Sequence, residues 1–311
     1  MKIVITGASG FIGQLLKKKH LDLGDQVHIL SRKERSELEY DPNLFYHKGD
    51  LLDFRTLDTF LIDTDVLYHC AAEIRDESKM QAVNIEGTEN LLKASSGKIK
   101  HWVQLSSVGV YGPVYSGYVS EDYSYNPINQ YEKTKLQSDL LVINSAKQNR
   151  FTYTLIRPSN VFGSEMRNAS LFQLIKMINS GYYFFIGPKG ASANYVPVSN
   201  VVQALFLAAT HPRAKNEIYN ISSWMTMESF IAIIAKELGK PMPKIRIPLF
   251  FINLIARLLS VIPKNPLTIS RVKALTNRSI YLNTKIEDQL GYKALESNEI
   301  ALAELVRFYK K

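Results

Sequence analysis

The 311-residue sequence holds one cysteine, Cys70. A lone thiol closes no intrachain disulfide and builds no cysteine-rich zinc site. A disulfide scaffold and a zinc module are therefore excluded, no metal is expected, and a reducing compartment, the cytoplasm, is the expected location. Long apolar runs are also missing. The longest, Leu249 to Ile262 (LFFINLIARLLSVI), falls short of the roughly 20 residues that span a bilayer and is broken by Asn253 and Arg257. It reads as a helix packed within a lobe, with peripheral contact to a membrane surface through 249–262 as the alternative. Only Ile3, Val4 and Ile5 precede the first polar turn, too little for the apolar part of a secretion signal. Acidic residues are outnumbered, 29 against 38 basic, for a net charge of +9. The tight basic clusters are Lys17-Lys18-Lys19 and Arg32-Lys33-Glu34-Arg35, and no nucleic-acid module accompanies them. A small phosphorylated ligand needs only a few local cations and is the simpler partner.

With 46% apolar residues, the chain has enough material for one large domain carrying a smaller lobe. Short β-branched runs at Lys2–Thr6, Gln26–Ser31, Leu44–His47, Asp65–Cys70, His101–Ser106 and Thr152–Arg157 read as strands. Between them Phe11–Leu23, Phe54–Ile62, Met80–Ser95 and Tyr131–Lys147 carry apolar residues at helical spacing. Six strands joined by helical crossovers predict an α/β fold, a Rossmann-type doubly wound parallel sheet covered on both faces. Beyond Gly163 helices at Leu171–Asn179, Val201–Thr210, Met227–Leu238, Leu249–Ile262 and Ile300–Tyr309 alternate with short extended pieces. The expected division is a dinucleotide-binding domain over 1–165, with contributions from about 190–221, and a mainly C-terminal α/β substrate lobe over 166–311.

The first strand runs into Thr6-Gly7-Ala8-Ser9-Gly10-Phe11-Ile12-Gly13, with glycines three apart at a strand-to-helix turn. Glycine permits close approach of backbone to a pyrophosphate, and a helix starting near Phe11 offers its N–H groups to the anion. A tight packing turn is the alternative, disfavoured by the position between a β-branched strand and an amphipathic helix. NAD sites usually place an acid at the end of the second strand; here stand Ser31-Arg32-Lys33. That favours NADP(H), with Arg32 near the 2′-phosphate, and leaves NAD(H) possible. Asp50, followed by Leu51, ends the third strand and is placed to accept from an adenine amino group. Small Ala71 and Ala72 after the fourth let a dinucleotide pass over the sheet edge.

Tyr131 and Lys135 stand four apart on a helix, hence on one face, so the ammonium is expected to favour a tyrosinate. Chance placement of 17 tyrosines and 25 lysines gives roughly 1.4 such pairs, and the chain has a second, Tyr281 and Lys285, interrupted by the cap-like Asn283-Thr284. Context selects the first: it follows Ser106-Ser107-Val108-Gly109-Val110-Tyr111-Gly112 by 24 residues.

These segments together, with VNIEGT at 83–88 and RPSNVFG at 157–163, resemble the extended short-chain dehydrogenase/reductase family. The resemblance covers roughly the first 165 residues, and NYVPVSN at 194–200 and IYNI at 218–221 are similar to later landmarks of its nucleotide-sugar members. It implies Tyr131 as catalytic acid/base, Lys135 on the nicotinamide ribose, and Ser107 on the reacting oxygen. It also implies that Asn84 supports the geometry, that Pro158 lies beside the nicotinamide, and that Asn160 and Tyr195 lie toward the substrate. A phenol near its ordinary pKa of about 10 is a poor base at neutral pH, which gives the lysine its purpose.

Where sugar-nucleotide dehydratases carry Thr-Asp-Glu or Ser-Asp-Glu, this chain has Ser107-Val108-Gly109, so elimination of water is not expected, nor is the proton removal for which epimerase-reductases use a cysteine. The leading expectation is hydride transfer at C4 of a nucleotide sugar by an NADP(H) reductase. The alternatives are an NAD-dependent 4-epimerase, a steroid- or flavonoid-type ketone reductase, and a non-catalytic cofactor sensor. Tyr182-Tyr183-Phe184-Phe185 reads as a buried strand or an apolar pocket lining, and Arg246, Arg271 and Arg278 as surface residues or pyrophosphate clamps. Family members often pair through helices, so a homodimer is possible.

Overall fold

The computed structural model describes residues 1–33, 40–149, 151–166, 169–258, 272–273 and 275–310. Strand β1 (Lys2–Thr6) shows why the sheet forms: Ile3 and Ile5 enter one apolar layer and Val4 the opposite one, so a continuous β-branched run is buried on both faces. Two-sided burial recurs along β4 (Thr64–His69), β5 (Ile99–Leu105) and β6 (Thr152–Pro158), and the outer strands β2 (Gln26–Ser31), β3 (Leu44–Lys48) and β7 (Glu217–Ile221) are buried in part. Among the described residues these seven strands pair in the order β7-β6-β5-β4-β1-β2-β3, all parallel. Six were expected. The seventh, β7, arrives from beyond residue 210 and pairs Ile218 with Leu155 and Asn220 with Arg157 at the sheet's edge.

Helix α1 (Phe11–Asp22) follows β1 and packs on one face; α2 (Gly87–Ser95) and α3 (Gln130–Asn149) cover the other. Two expected helices differ. Over Phe54–Ile62 only a 3-10 turn, Phe54–Thr56, forms before a run of turns. Asp53 caps it and the Thr56 hydroxyl donates to the Asp53 carbonyl at 2.7 Å, bonds that compete with an α-helical ladder, while Leu57, Phe60 and Leu61 still bury their apolar groups. Over Met80–Ser95 a helical turn, Glu77–Met80, passes through a π-helical stretch, Gln81–Glu86, into α2.

In the later sequence, helices α4 (Ala169–Asn179), α6 (Met227–Leu238) and α9 (Asn298–Lys310) share an apolar cluster with a small sheet of Asn160–Phe162, Ser192–Pro197 and Ser223–Thr226. Helix α5 (Val198–Thr210) instead lies against α1 and the main sheet. Helix α7 runs Leu249–Leu258; the rest of the expected helix to Ile262 lies outside the described residues. A final short helix, α8 (Thr284–Leu290), packs below β7.

Candidate active site

Strands β1 and β4 are neighbours whose chains depart to opposite sides, which opens a crevice at their carboxyl ends. Gly7 and Ala71 meet there. Gly7 has φ +72°, and a Cβ on it would lie 2.6 Å from the Ala71 nitrogen; a Cβ on Gly13 would lie 2.2 Å from the Gly7 carbonyl oxygen. The turn therefore requires glycine at both positions. Gly10 is the N-cap of α1, with no side chain capping it and no acid in the first turn, so the positive end of the helix faces the crevice uncompensated. Ser9 is exposed at the top of this turn, while Phe11 and Ile12 are half-buried and pack into the lobe and sheet layers respectively. This cradle fits the pyrophosphate of a dinucleotide.

The other residues expected toward the cofactor are distributed around this turn. Arg32 and Lys33 are exposed just past β2, the Lys33 N–H donating to the Ser31 hydroxyl at 3.1 Å. Asp50 is half-buried beyond β3 and accepts from the Leu52 N–H at 3.0 Å; Leu51 is buried and its carbonyl accepts from the Asn90 amide. Ala71 and Ala72 follow β4, and Pro158 ends β6 beside Ser159, whose buried hydroxyl has no partner within the described chain.

Helix α3 begins where it does because Asn129 and Glu132 form a capping box: the Asn129 Oδ1 accepts from the Glu132 N–H at 2.9 Å and the Glu132 carboxylate accepts from the Asn129 N–H at 3.3 Å. That start puts Tyr131 in the first turn. Its phenol lies beside Ser107, the residue that caps the 3-10 turn after β5 by accepting from the Gly109 N–H at 3.0 Å. Burial pushes the Tyr131 phenol up to about 12; the nearby Ser107 hydroxyl opposes this, while Asp139 and Glu132 add to it. The convergence expected of Tyr131 and Lys135 takes a different form. Lys135 is buried one turn further on and its ammonium donates to the Leu105 carbonyl at 2.5 Å, at the end of β5. Burial lowers its pKa, and Asp139 and Cys70 oppose the shift.

Behind this pair lies a charged layer that the sequence did not announce. Asp139 and Arg157 are both fully buried, and one Asp139 oxygen accepts from the Arg157 Nη2 at 3.2 Å, the Nε at 3.3 Å and the Ser106 hydroxyl at 2.7 Å. The guanidinium also donates to the Tyr111 and Tyr125 phenols, each at 3.1 Å, and Tyr111 donates to Asn220 on β7 at 2.8 Å. Burial alone would lower the Arg157 pKa; Asp139 and the two phenols hold it above its ordinary value. The one legible hint is that Asp139 stands four residues after Lys135, on the same helical face.

A second buried chain braces the crevice. Trp102 donates to Gln104, Gln104 to Ser138 at 2.9 Å, and Thr88 to the Asn84 carbonyl at 2.7 Å. Thr88 thus has acceptor capacity left for the His69 Nε2 at 3.0 Å, and the His69 Nδ1 accepts from Thr6 at 2.7 Å. His69 is neutral in this arrangement, and burial takes its pKa down to about 3. Asn84 is buried with its amide engaged internally: Oδ1 accepts from the Glu73 N–H at 2.7 Å, and Nδ2 donates to the Glu73 carbonyl and to Thr134, at 3.0 and 3.1 Å. Thr134 in turn donates to the Tyr131 carbonyl at 3.0 Å, so Asn84 reaches Tyr131 through the helix backbone.

The outer residues are less concentrated. Asn160 is exposed and donates to the Asn194 carbonyl at 3.1 Å, and the Tyr195 ring stacks on Phe230 with centroids 4.7 Å apart inside the lobe cluster. Arg246 is taken up by Glu228 and the Gly187 carbonyl, Arg278 donates to the Lys189 carbonyl, and Arg271 lies outside the described residues. Tyr183 and Phe185 contact edge to face. The second tyrosine–lysine pair is dispersed: Tyr281 stacks on Tyr111, and Lys285 pairs with Glu217 at 2.8 Å. A cavity of about 340 Å³, lined by Met1, Asp65, His101 and Lys215 among others, opens at the opposite edge of the sheet and takes no part. No helix among the described residues is long and apolar enough to cross a membrane.

Residues 3–222 match the model of the NAD dependent epimerase/dehydratase family. The chain belongs to that family. It is an extended short-chain dehydrogenase/reductase, and the nucleotide-sugar epimerases are among its relatives. The N-acetyl-alpha-D-glucosaminyl-diphospho-ditrans,octacis-undecaprenol 4-epimerase of Escherichia coli O157:H7 is 28% identical over 257 residues, 79% of this chain and 75% of the relative. The UDP-glucose 4-epimerase of Vibrio cholerae is 25% identical, covering 82% and 81%. In fold, the chain is similar to the UDP-glucuronic acid 4-epimerase from Bacillus cereus in complex with UDP-glucuronic acid and NAD, with TM-score 0.78 and 23% identity over 100% and 99% of the two chains. Two expectations change accordingly. The family is NAD-dependent, and the NADP(H) preference drawn from Arg32 and Lys33 finds no support among these relatives; the relatives named as 4-epimerases favour the epimerase alternative over the reductase reading.

Proposed function

We propose that this enzyme is an NAD-dependent 4-epimerase of a diphosphate-linked hexose. The observation that carries the reading is the juxtaposition of Ser107 and Tyr131 at the carboxyl edge of a sheet whose glycine turn is shaped for a dinucleotide. A bound oxidised nicotinamide supplies a hydride acceptor and a positive charge. Tyr131 takes the proton of the C4 hydroxyl and, after the 4-keto sugar has turned, returns it to the same oxygen, while the inversion at C4 would come from hydride given back by the reduced nicotinamide to the opposite face; Ser107 holds the reacting oxygen on the phenol. Lys135, fixed on the Leu105 carbonyl, orients the cofactor ribose. A phenol held at about 12 gives up its proton at neutral pH only when cationic charge is brought to it, so the protein's own environment keeps Tyr131 protonated until the site is filled. Asn84, Thr134 and Asp139 act by positioning α3. Gly7, Ser9, Gly10, Phe11, Ile12 and Gly13 line the pyrophosphate, with Asp50, Leu51, Ala71, Ala72 and Pro158 along the rest of the dinucleotide, and Asn160 and Tyr195 border the substrate side.

The test is incubation of the purified protein with NAD and UDP-glucose, UDP-N-acetylglucosamine or the corresponding polyprenyl diphosphate sugar, with the C4 epimer followed by proton NMR. Epimer without net NADH is the expected product. Stoichiometric NADH, or no sugar turnover with any carrier, overturns the reading. Arg32→Ala tests the cofactor: little change in NAD affinity is expected, and a selective loss of NADPH binding would restore the NADP(H) reading. One observation favours a second substrate class. The 3 beta-hydroxysteroid dehydrogenase/Delta 5-->4-isomerase of Mycobacterium tuberculosis strain H37Rv is 26% identical over 99% of this chain and 90% of its own length. A 3β-hydroxysteroid oxidised with accumulation of NADH would decide for it.

A further inference from the structure

From Leu238 to Ile286 the sequence has no Asp or Glu and nine Lys or Arg, so the whole net charge of +9 resides in 49 residues and the rest of the chain is balanced at 29 against 29. The same segment contains α7, which presents two faces. Leu249 and Ile252 pack inward with Ile186, Ile247 and Val272. Phe250, Phe251 and Leu254, one and four positions along the opposite face, are 73%, 54% and 48% exposed, the two rings meeting edge to face at 5.6 Å. Ile245 is exposed just before the strand that leads into α7, next to exposed Lys244. On the other side of the segment Lys273 is exposed, its ammonium 5.2 Å from the ring centre of Tyr115. Tyr115 adjoins Ser116–Val119, which follows the turn begun by Ser107 and pairs with Arg278–Tyr281.

We propose that this face of the lobe docks on an anionic membrane surface, with Phe250, Phe251 and Leu254 entering the headgroup boundary and the lysines around them meeting lipid phosphates. Exposed rings on a helix too short to span, set within a stretch of one charge sign, is the pattern of a helix that lies in a membrane interface. Surface potential supplies the approach and apolar burial the hold. A protein partner would be matched by mixed charges, and nucleic acid gives no reason for exposed phenylalanines; the acid-free stretch with apolar side chains favours lipid. Docking through this segment holds the strand pair beside the Ser107 turn against the bilayer and so brings the candidate site to the membrane surface.

The experiment is co-sedimentation of the full chain with vesicles of phosphatidylcholine alone or mixed with phosphatidylglycerol. Binding at least tenfold stronger to the anionic vesicles is expected, falling severalfold at about 1 M salt, where charges are screened beyond about 3 Å. The double variant Phe250→Ser/Phe251→Ser and, separately, Lys244→Glu/Lys273→Glu should each lose at least tenfold in vesicle binding while leaving turnover of a soluble UDP-sugar unchanged. Equal binding to neutral and anionic vesicles, retention of binding by either variant, or a wild-type dimer that the phenylalanine variant dissolves would overturn the proposal. Its failure is separable from that of the epimerase reading: an active epimerase that does not sediment sinks only the docking, and a sedimenting protein without epimerase activity sinks only the enzyme assignment.

Discussion

Replacing Asp139 by asparagine nearly preserves the side chain's shape and removes its charge. In the native arrangement that carboxylate faces the Arg157 guanidinium with neither side chain reached by solvent, and the same oxygen accepts from Ser106. The variant can still accept from Ser106, so the change isolates the charge. An uncompensated buried guanidinium costs about 3–5 kcal/mol. With an unfolding entropy of about 2.1 cal/mol/K per residue, that loss lowers the melting temperature by roughly 5–8 °C. Urea unfolding of wild type and variant at pH 7 measures the difference, and Asp139→Leu with Arg157→Met, made singly and together, closes the cycle. The double variant should be more stable than either single one, because two apolar groups strand no charge. The same substitution removes the neighbour that keeps Lys135 cationic against burial, so kcat should fall even where the protein stays folded, and its alkaline limb should move to lower pH. A loss of stability below about 1 kcal/mol, or a double variant as unstable as the sum of the singles, refutes the reasoning.

Tyr131→Phe should lower kcat by about 10²–10⁴ and leave NAD affinity, measured by calorimetry, within a few-fold of wild type. Gly13→Ala should abolish dinucleotide binding or prevent folding, since its Cβ would lie 2.2 Å from a carbonyl oxygen; NAD binding and a wild-type melting temperature would contradict the packing described. Acid should destabilise the protein through His69 and His101, which burial holds neutral with pKa values of about 3 and 4. Below 6.5 the unfolded chain binds protons that the folded one does not, so stability is intact above pH 6.5 and falls through the range down to those values. The slope is about 1.4 kcal/mol per pH unit per histidine, or roughly 4 kcal/mol for the pair at pH 5. Equal urea midpoints at pH 7 and pH 5 would show that the histidines are not held neutral.

The residues whose work is local could be read from the chain. Gly7, Gly10 and Gly13 act through the backbone of one turn, and Lys2–Thr6 is buried on both faces wherever it lies in a parallel sheet. Phe54–Ile62 misled because Leu57, Phe60 and Leu61 bury equally well from a series of turns, and apolar spacing does not register the side chain-to-backbone bonds of Asp53 and Thr56. The place of β7 as a seventh strand and the Arg157–Asp139 pair were out of reach for another reason: the sequence marked 190–221 only as a contribution to the first domain, and each arrangement depends on segments that meet once the sheet has assembled. Lys135 illustrates the same divide. Four-residue spacing put it on the face of Tyr131, but which acceptor its ammonium takes was decided by the end of β5.

The late arrival of β7 bears on how new specificities can be engineered or evolved on this scaffold. Asn220 holds Tyr111 from the outermost strand, and Tyr111 holds Arg157, so a stretch encoded after the first lobe segments is structurally part of the sheet. A recombinant chimera that joined the first 165 residues to a foreign tail would import a stranger's edge strand along with its ligand pocket. Exchanges made in two pieces, leaving residues 198–221 native, are the ones that should yield working hybrids.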